Sequence, residues 1–127
     1  MLLRMKEFAD GYEKEFGLAI DLQVDKKLNS VKLDMKQRQE LFFIFKDAVN
    51  CMVHNFKADK GDINLDLEQQ KLLLKIRAEK INGEITQDFT CPYIRDIRKR
   101  ADQLKAPIDF EMDKKIVSLI LQVAVNN

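Results

Sequence analysis

Apolar and polar positions along this chain follow two periods, and the switches between them outline eight elements. Leu2, Leu3, Met5, Phe8, Tyr12 and Phe16 recur at helical spacing and predict an amphipathic helix that Gly17 stops. Leu18, Ile20, Leu22 and Val24 alternate with Ala19, Asp21 and Gln23, the period of a half-buried strand. A polar connection leads into the longest helical pattern, residues 34–56, with Asp34 as its cap. There Leu41, Phe45, Ala48, Val49, Met52 and Phe56 share one face. A turn around Gly61 follows. Ile63, Leu65 and Leu67 then alternate with Asn64, Asp66 and Glu68, the EQQK stretch 68–71 turns, and Leu72, Leu74 and Ile76 alternate again. Two alternating runs with a short polar joint predict an antiparallel hairpin.

Residues 78–90 have no steady period and read as a loop containing Gly83. Pro92 suits the first turn of a third helix, with Tyr93, Ile94, Ile97, Ala101 and Leu104 inward and Arg95, Arg98, Lys99 and Arg100 facing water. Pro107 ends it. Ile108, Phe110 and Met112 form a strand, residues 112–115 turn, and residues 116–125 are almost unbroken apolar. That last run predicts either a central strand covered on both faces or the final strand of a covered sheet. Hairpins this short cannot hold parallel crossovers throughout. The economical architecture is an α/β (α+β) two-layer sandwich, three helices on one face of a mixed, about five-stranded sheet.

Composition narrows the class. The 127 residues, 46% hydrophobic, suffice for one domain with one core. The 22 basic and 21 acidic side chains leave a net charge of +1, which does not point to nucleic acid or an anionic membrane surface. No apolar run approaches a membrane-spanning length, and the N-terminus lacks the layout of a signal peptide. Cys51 and Cys91 therefore read as reduced thiols in a cytoplasmic chain, and two cysteines with one histidine make no zinc site. Helix-like sequence begins at Met1, so residues 1–127 are expected to be one domain at the C-terminal end of a longer protein.

Candidate chemistry gathers on one edge of the long helix, at Asp47, Asn50, Cys51, His54 and Asn55. The edge is either the outline of a nucleotide site or a polar helix edge facing solvent. Cys51 as a nucleophile lacks a recognisable base nearby, and reads as a packed thiol. Phe42, Phe43 and Phe45 read as core, with Phe42 off the main stripe and available to a neighbouring domain.

Three segments carry a family resemblance. DAVNCMVHN, residues 47–55, resembles the Glu-Ala-Leu-x-Asn-x-x-x-His helix of sensor histidine kinase ATP-binding domains, the Bergerat-fold (GHKL) family. LLLKIRAEK, residues 72–80, resembles the strand entering that family's Asp-x-Gly box, and IRDIRKRADQL, residues 94–104, resembles the helix after its Gly-x-Gly-Leu turn. The resemblance implies a Bergerat fold and a role in two-component signalling beside an upstream dimerisation and phosphoacceptor domain, with a response regulator as a further partner. It implies roles residue by residue. The family's base falls on Asp47. The Mg2+ asparagine falls on Cys51, beside Asn50, and the following basic positions fall on His54 and Asn55. The adenine-binding aspartate falls on Ala78 and the box glycine on Lys80. The second glycine box falls on Cys91, Pro92 and Tyr93. A thiol is a poor ligand for a hard cation, alanine has no acceptor, and proline has no N–H to offer phosphate. The expectation is a degenerate site with no cofactor; the alternative is a working Mg-ATP domain with Asp47 as base. His54 is not expected to be a phosphoacceptor, which in the family lies on an upstream helical domain.

Overall fold

The computed structural model describes residues 1–86 and 92–125. Three α-helices, α1 (Leu2–Phe16), α2 (Met35–Asn50) and α3 (Pro92–Gln103), join five strands, β1 (Ala19–Val24), β2 (Lys60–Glu68), β3 (Lys71–Glu79), β4 (Ile108–Met112) and β5 (Ile116–Ala124). The strand order is β1-β2-β3-β5-β4, with β1 parallel to β2 and every other pair antiparallel. The sheet is mixed, as the periodicity predicts, because the β1 to β2 connection contains α2 and returns parallel, while β2–β3 and β4–β5 are hairpins and β5 comes back antiparallel beside β3 after α3 and β4.

Local chemistry explains the boundaries. Gly17 adopts a left-handed φ of 73° and its N–H bonds the Glu13 carbonyl, closing α1. Asp34 and Gln37 form a reciprocal capping box: the Asp34 carboxylate accepts the Gln37 N–H at 2.7 Å, and Gln37 Oε1 accepts the Asp34 N–H at 3.1 Å. The 34–56 stretch is not one continuous α-helix. Residues Cys51–Asn55 form a π-turn, in which the Phe56 N–H reaches back to the Cys51 carbonyl at 3.0 Å. The wider turn lets both Met52 and Phe56 enter the core, at 3% and 2% exposure. The polar link after β1 also holds a 3-10 turn, Lys26–Ser30, capped by Asp25.

The core lies between the helices and one face of the sheet. Leu41, Phe45 and Val49 from α2 meet Ile63, Leu65, Leu74 and Leu121 from the sheet and Ile97 from α3, all fully buried. Each such side chain contributes about 1.5–3 kcal/mol of burial free energy. The other sheet face is polar and open. β5 alternates, with Leu119 and Leu121 buried and Ile120 40% exposed. It is therefore covered on one face only, and the central strand is β3; an apolar run was not enough to tell one covered face from two. Phe42 is buried within the domain, edge-to-face with Phe8 and under the Arg4 guanidinium, rather than presented to a neighbour.

Candidate functional site

The C-terminal half of α2, its π-turn, the ends of β3 and β5, and α3 enclose a small cavity of ≈ 30 Å³. It is lined by Ala48, Cys51, Ile76, Ala78, Ile94 and Ile97 among others, and of these six side chains only the Cys51 thiol is not a hydrocarbon. Cys51 is 3% exposed and Ala78 fully buried. The family-matched positions Cys51 and Ala78, 27 residues apart in sequence, thus converge on one space, because α2 packs across β3.

Asp47 lies one α-helical turn before Cys51, half-buried, and burial raises its carboxyl above the usual range. The Arg100 guanidinium opposes that shift, and Asp96 adds to it. Arg100 Nη1 donates to Glu40 Oε2 at 3.0 Å, while its Nε stands 3.8 Å from Asp47 Oδ2, too far for a hydrogen bond. The guanidinium stacks 4.5 Å from the Phe43 ring. The sequence reading that places Arg100 in water is corrected here. Its side chain is 32% exposed and spans α3 to α2. A signal was present in the chain: Glu40, Phe43 and Asp47 sit at i, i+3 and i+7, one stripe on α2. Arg98 likewise stacks on Phe110, 4.5 Å from its ring.

The remaining sequence-predicted positions scatter. Asn50 is half-buried. His54 is exposed and packs edge-to-face on Phe16 at 5.3 Å and Tyr12 at 6.4 Å, a contact with α1 that no local pattern announces. Asn55 is half-buried, and its Nδ2 is shielded with no hydrogen-bond partner among the described residues. Lys80 Nζ donates to the Lys57 carbonyl at 3.1 Å, away from the cavity lining. Cys91 lies outside the described residues, while Pro92 and Tyr93 open α3. The edge is therefore not simply solvent-facing: Cys51 is buried and Asp47 half-buried.

Sequence reasoning missed the staple behind Lys80. Asp59 Oδ2 accepts the Ile81 N–H at 2.6 Å and the Asn82 N–H at 2.9 Å. These bonds, the Asn82 one foremost, hold its carboxyl below the usual range. The Lys80 N–H and the Ile85 N–H bond the Lys115 and Lys114 carbonyls, and Ile85 is buried. The segment after β3 is thus an ordered strap through residue 85, not a free loop. Among the described residues no group of three His, Cys, Asp or Glu side chains is placed to hold a metal ion, and no helix is long and apolar enough to cross a membrane.

This arrangement of helices and sheet defines a class: the fold is that of histidine kinase catalytic domains. Among solved structures, the chain is similar to the Acinetobacter baumannii histidine kinase AdeS, with a TM-score of 0.74, 16% identity, and coverage of 99% of this chain and 64% of that one. It is similar to the histidine kinase domain of the Erythrobacter litoralis EL346 blue-light activated kinase, with a TM-score of 0.67, 14% identity, and coverage of 92% and 62%. A nucleotide-free catalytic domain of the histidine kinase ThkA gives a TM-score of 0.73 at 12% identity, over 95% of this chain and 88% of that one. The chain thus spans under two thirds of the first two structures it resembles. No protein-family model and no curated protein sequence matches it.

Proposed function

We propose that the chain is the ATPase-like domain of a bacterial two-component sensor histidine kinase, with a degenerate nucleotide site that binds Mg-ATP weakly or not at all. It serves signalling as an interaction module, in the cytoplasm, beside an upstream dimerisation and phosphoacceptor domain and a response regulator. The observation that supports this most is the pairing of Cys51 and Ala78 on one apolar cavity. At the position matched to the adenine-binding aspartate, Ala78 is fully buried and carries no acceptor. At the position matched to the metal asparagine stands a buried thiol, and Mg2+ takes oxygen ligands. The cavity is far smaller than a ligand pocket of roughly 300–1,000 Å³. The residues present do not fit Mg-nucleotide.

One observation favours a working Mg-ATP-binding kinase domain instead. Asp47 is a half-buried carboxylate with a raised pKa, the property a general base needs. Titration calorimetry with Mg-ATP and Mg-ADP, run beside thermal shift, separates the two readings. The degenerate reading expects no heat and no shift at millimolar nucleotide. Dissociation constants in the low micromolar range would overturn it. Cys51→Asn alone is expected not to restore binding, since Ala78 still lacks an acceptor; Mg-ATP binding by that variant would place the defect elsewhere.

A further inference from the structure

The sheet has two outer edges, and they are built differently. β4 is short, begins just after Pro107, and has Arg98 stacked over its inward Phe110. Short length and a flanking proline are common protections of an edge. β1, the other edge, has neither proline nor lysine within it, and its ladder to β2 runs unbroken from Ala19 to Val24 without a bulge. Among the described residues nothing pairs with its outer side.

Along that side, between β1 and α1, runs a groove of ≈ 500 Å³ lined by Leu3, Ala9, Ile20, Leu22 and Val24 with others. Leu3 is 69% and Val24 36% exposed. Lys6 and Asp10 bring one charge of each sign to it. Ile20 and Leu22 pack toward the core. Asp21 and Gln23 lie on the opposite, open face, where Gln23 Nε2 donates to Asp21 Oδ1 at 3.0 Å. An unpaired strand beside an apolar groove is a template for another strand.

We propose that β1 is the seam of a homodimer, pairing antiparallel with β1 of a second copy so that Leu22 faces the partner's Leu22 across a twofold axis. The charges select this occupant and this register. Directly opposed residues share a face, so a shift by one residue sets apolar against polar side chains. A shift by two in one direction opposes Asp21 to the partner's Asp21, and in the other opposes Asp21 to the partner's Asp25. With Leu22 on the axis, Ile20 meets the partner's Val24 on the groove face and Asp21 meets the partner's Gln23 on the open face. The Leu22 pair and the two pairs of Ile20 with the partner's Val24 are apolar on apolar, and the two pairs of Asp21 with the partner's Gln23 are acceptor on donor. Ala19 meets the partner's Asp25 only beyond the end of the strand, and the arrangement is isologous, as a closed dimer requires.

Sedimentation velocity of the 127-residue chain between about 1 µM and about 1 mM tests this, with melting curves to confirm each fold. The wild type is expected to pass from monomer to dimer, and Val24→Lys to remain monomeric. Gln23→Lys, which faces the partner's Asp21, is expected to tighten the dimer about three- to tenfold, and Gln23→Asp to weaken it by a similar factor. A synthetic peptide of residues 18–25 should compete. A monomer at every concentration overturns the proposal, and so does a dimer indifferent to Val24→Lys. Equal or inverted effects of the two Gln23 variants overturn the register. A monomer that instead binds an unrelated alternating apolar peptide assigns the edge to a foreign strand and overturns the homodimer.

Discussion

Arg100 shows how one side chain converts an apparent surface charge into a fastener. Its guanidinium joins α3 to Glu40, Phe43 and Asp47 of α2, all partly withdrawn from water. Arg100→Ala leaves two carboxylates in a half-buried stripe without their cation. The expected cost at neutral pH is about 1–3 kcal/mol, less than for a fully buried pair because the site is partly solvated. The pH dependence has a definite sign. Burial already raises the Asp47 carboxyl, and Arg100 is the strongest group opposing that rise. Removing Arg100 raises the folded-state pKa further above the unfolded value. A group raised on folding favours the fold while protonated and penalises it as pH climbs through the folded pKa. The difference between wild type and Arg100→Ala should therefore be small below the ordinary aspartate pKa of 3.8 and widen above it, as urea melts across pH would record. A pH-independent difference would mean that Arg100 acts through its stack on Phe43 alone.

At the scale of the element, the β2–β3 hairpin is locally strained. Gln69 and Gln70 both take left-handed φ values, 49° and 64°, in a two-residue turn whose geometry suits Asn-Gly. A β-carbon in that region costs about 1–2 kcal/mol per residue. Replacing Gln69 and Gln70 by Asn and Gly should stabilise the domain by about 1–2 kcal/mol, read as a higher urea midpoint with an unchanged slope. The capping box of α2 offers the opposite sign: Asp34→Ala removes the acceptor of the Gln37 N–H and should cost about 0.5–2 kcal/mol. Such elements were legible in the sequence because period, caps and breakers are local. The π-turn after α2 was not. Residues Cys51–Asn55 are as helical in pattern as those before them, and the widened turn forms where Met52 and Phe56 both need the core. The strap after β3 escaped too, since its anchors, Asp59, Lys114 and Lys115, lie on other turns.

Over the whole molecule, the core among the described residues contains no buried polar or charged side chain. Ala78 sits inside it, so Ala78→Asp would bury a carboxylate against apolar walls. Its pKa would rise, and the penalty would appear above the ordinary carboxyl range and fade on acidification. A loss of about 3–5 kcal/mol at pH 7, relieved near pH 4, is expected in denaturant titration. Stabilisation of that variant by Mg-ATP would instead mark the missing acceptor at Ala78 as the main defect of the nucleotide site. The sequence alone determined the order of helices and strands, the mixed sheet with helices on one face, and the matched positions on α2 and β3, because side-chain period and capping act over a few residues. Only the tertiary structure decided which of those positions meet. Packing α2 across β3 brings Cys51 and Ala78 to one cavity, turns His54 toward α1, and draws Arg100 under Asp47. Each depends on contacts between residues distant in the chain, and no local pattern encodes which distant neighbour a side chain will find.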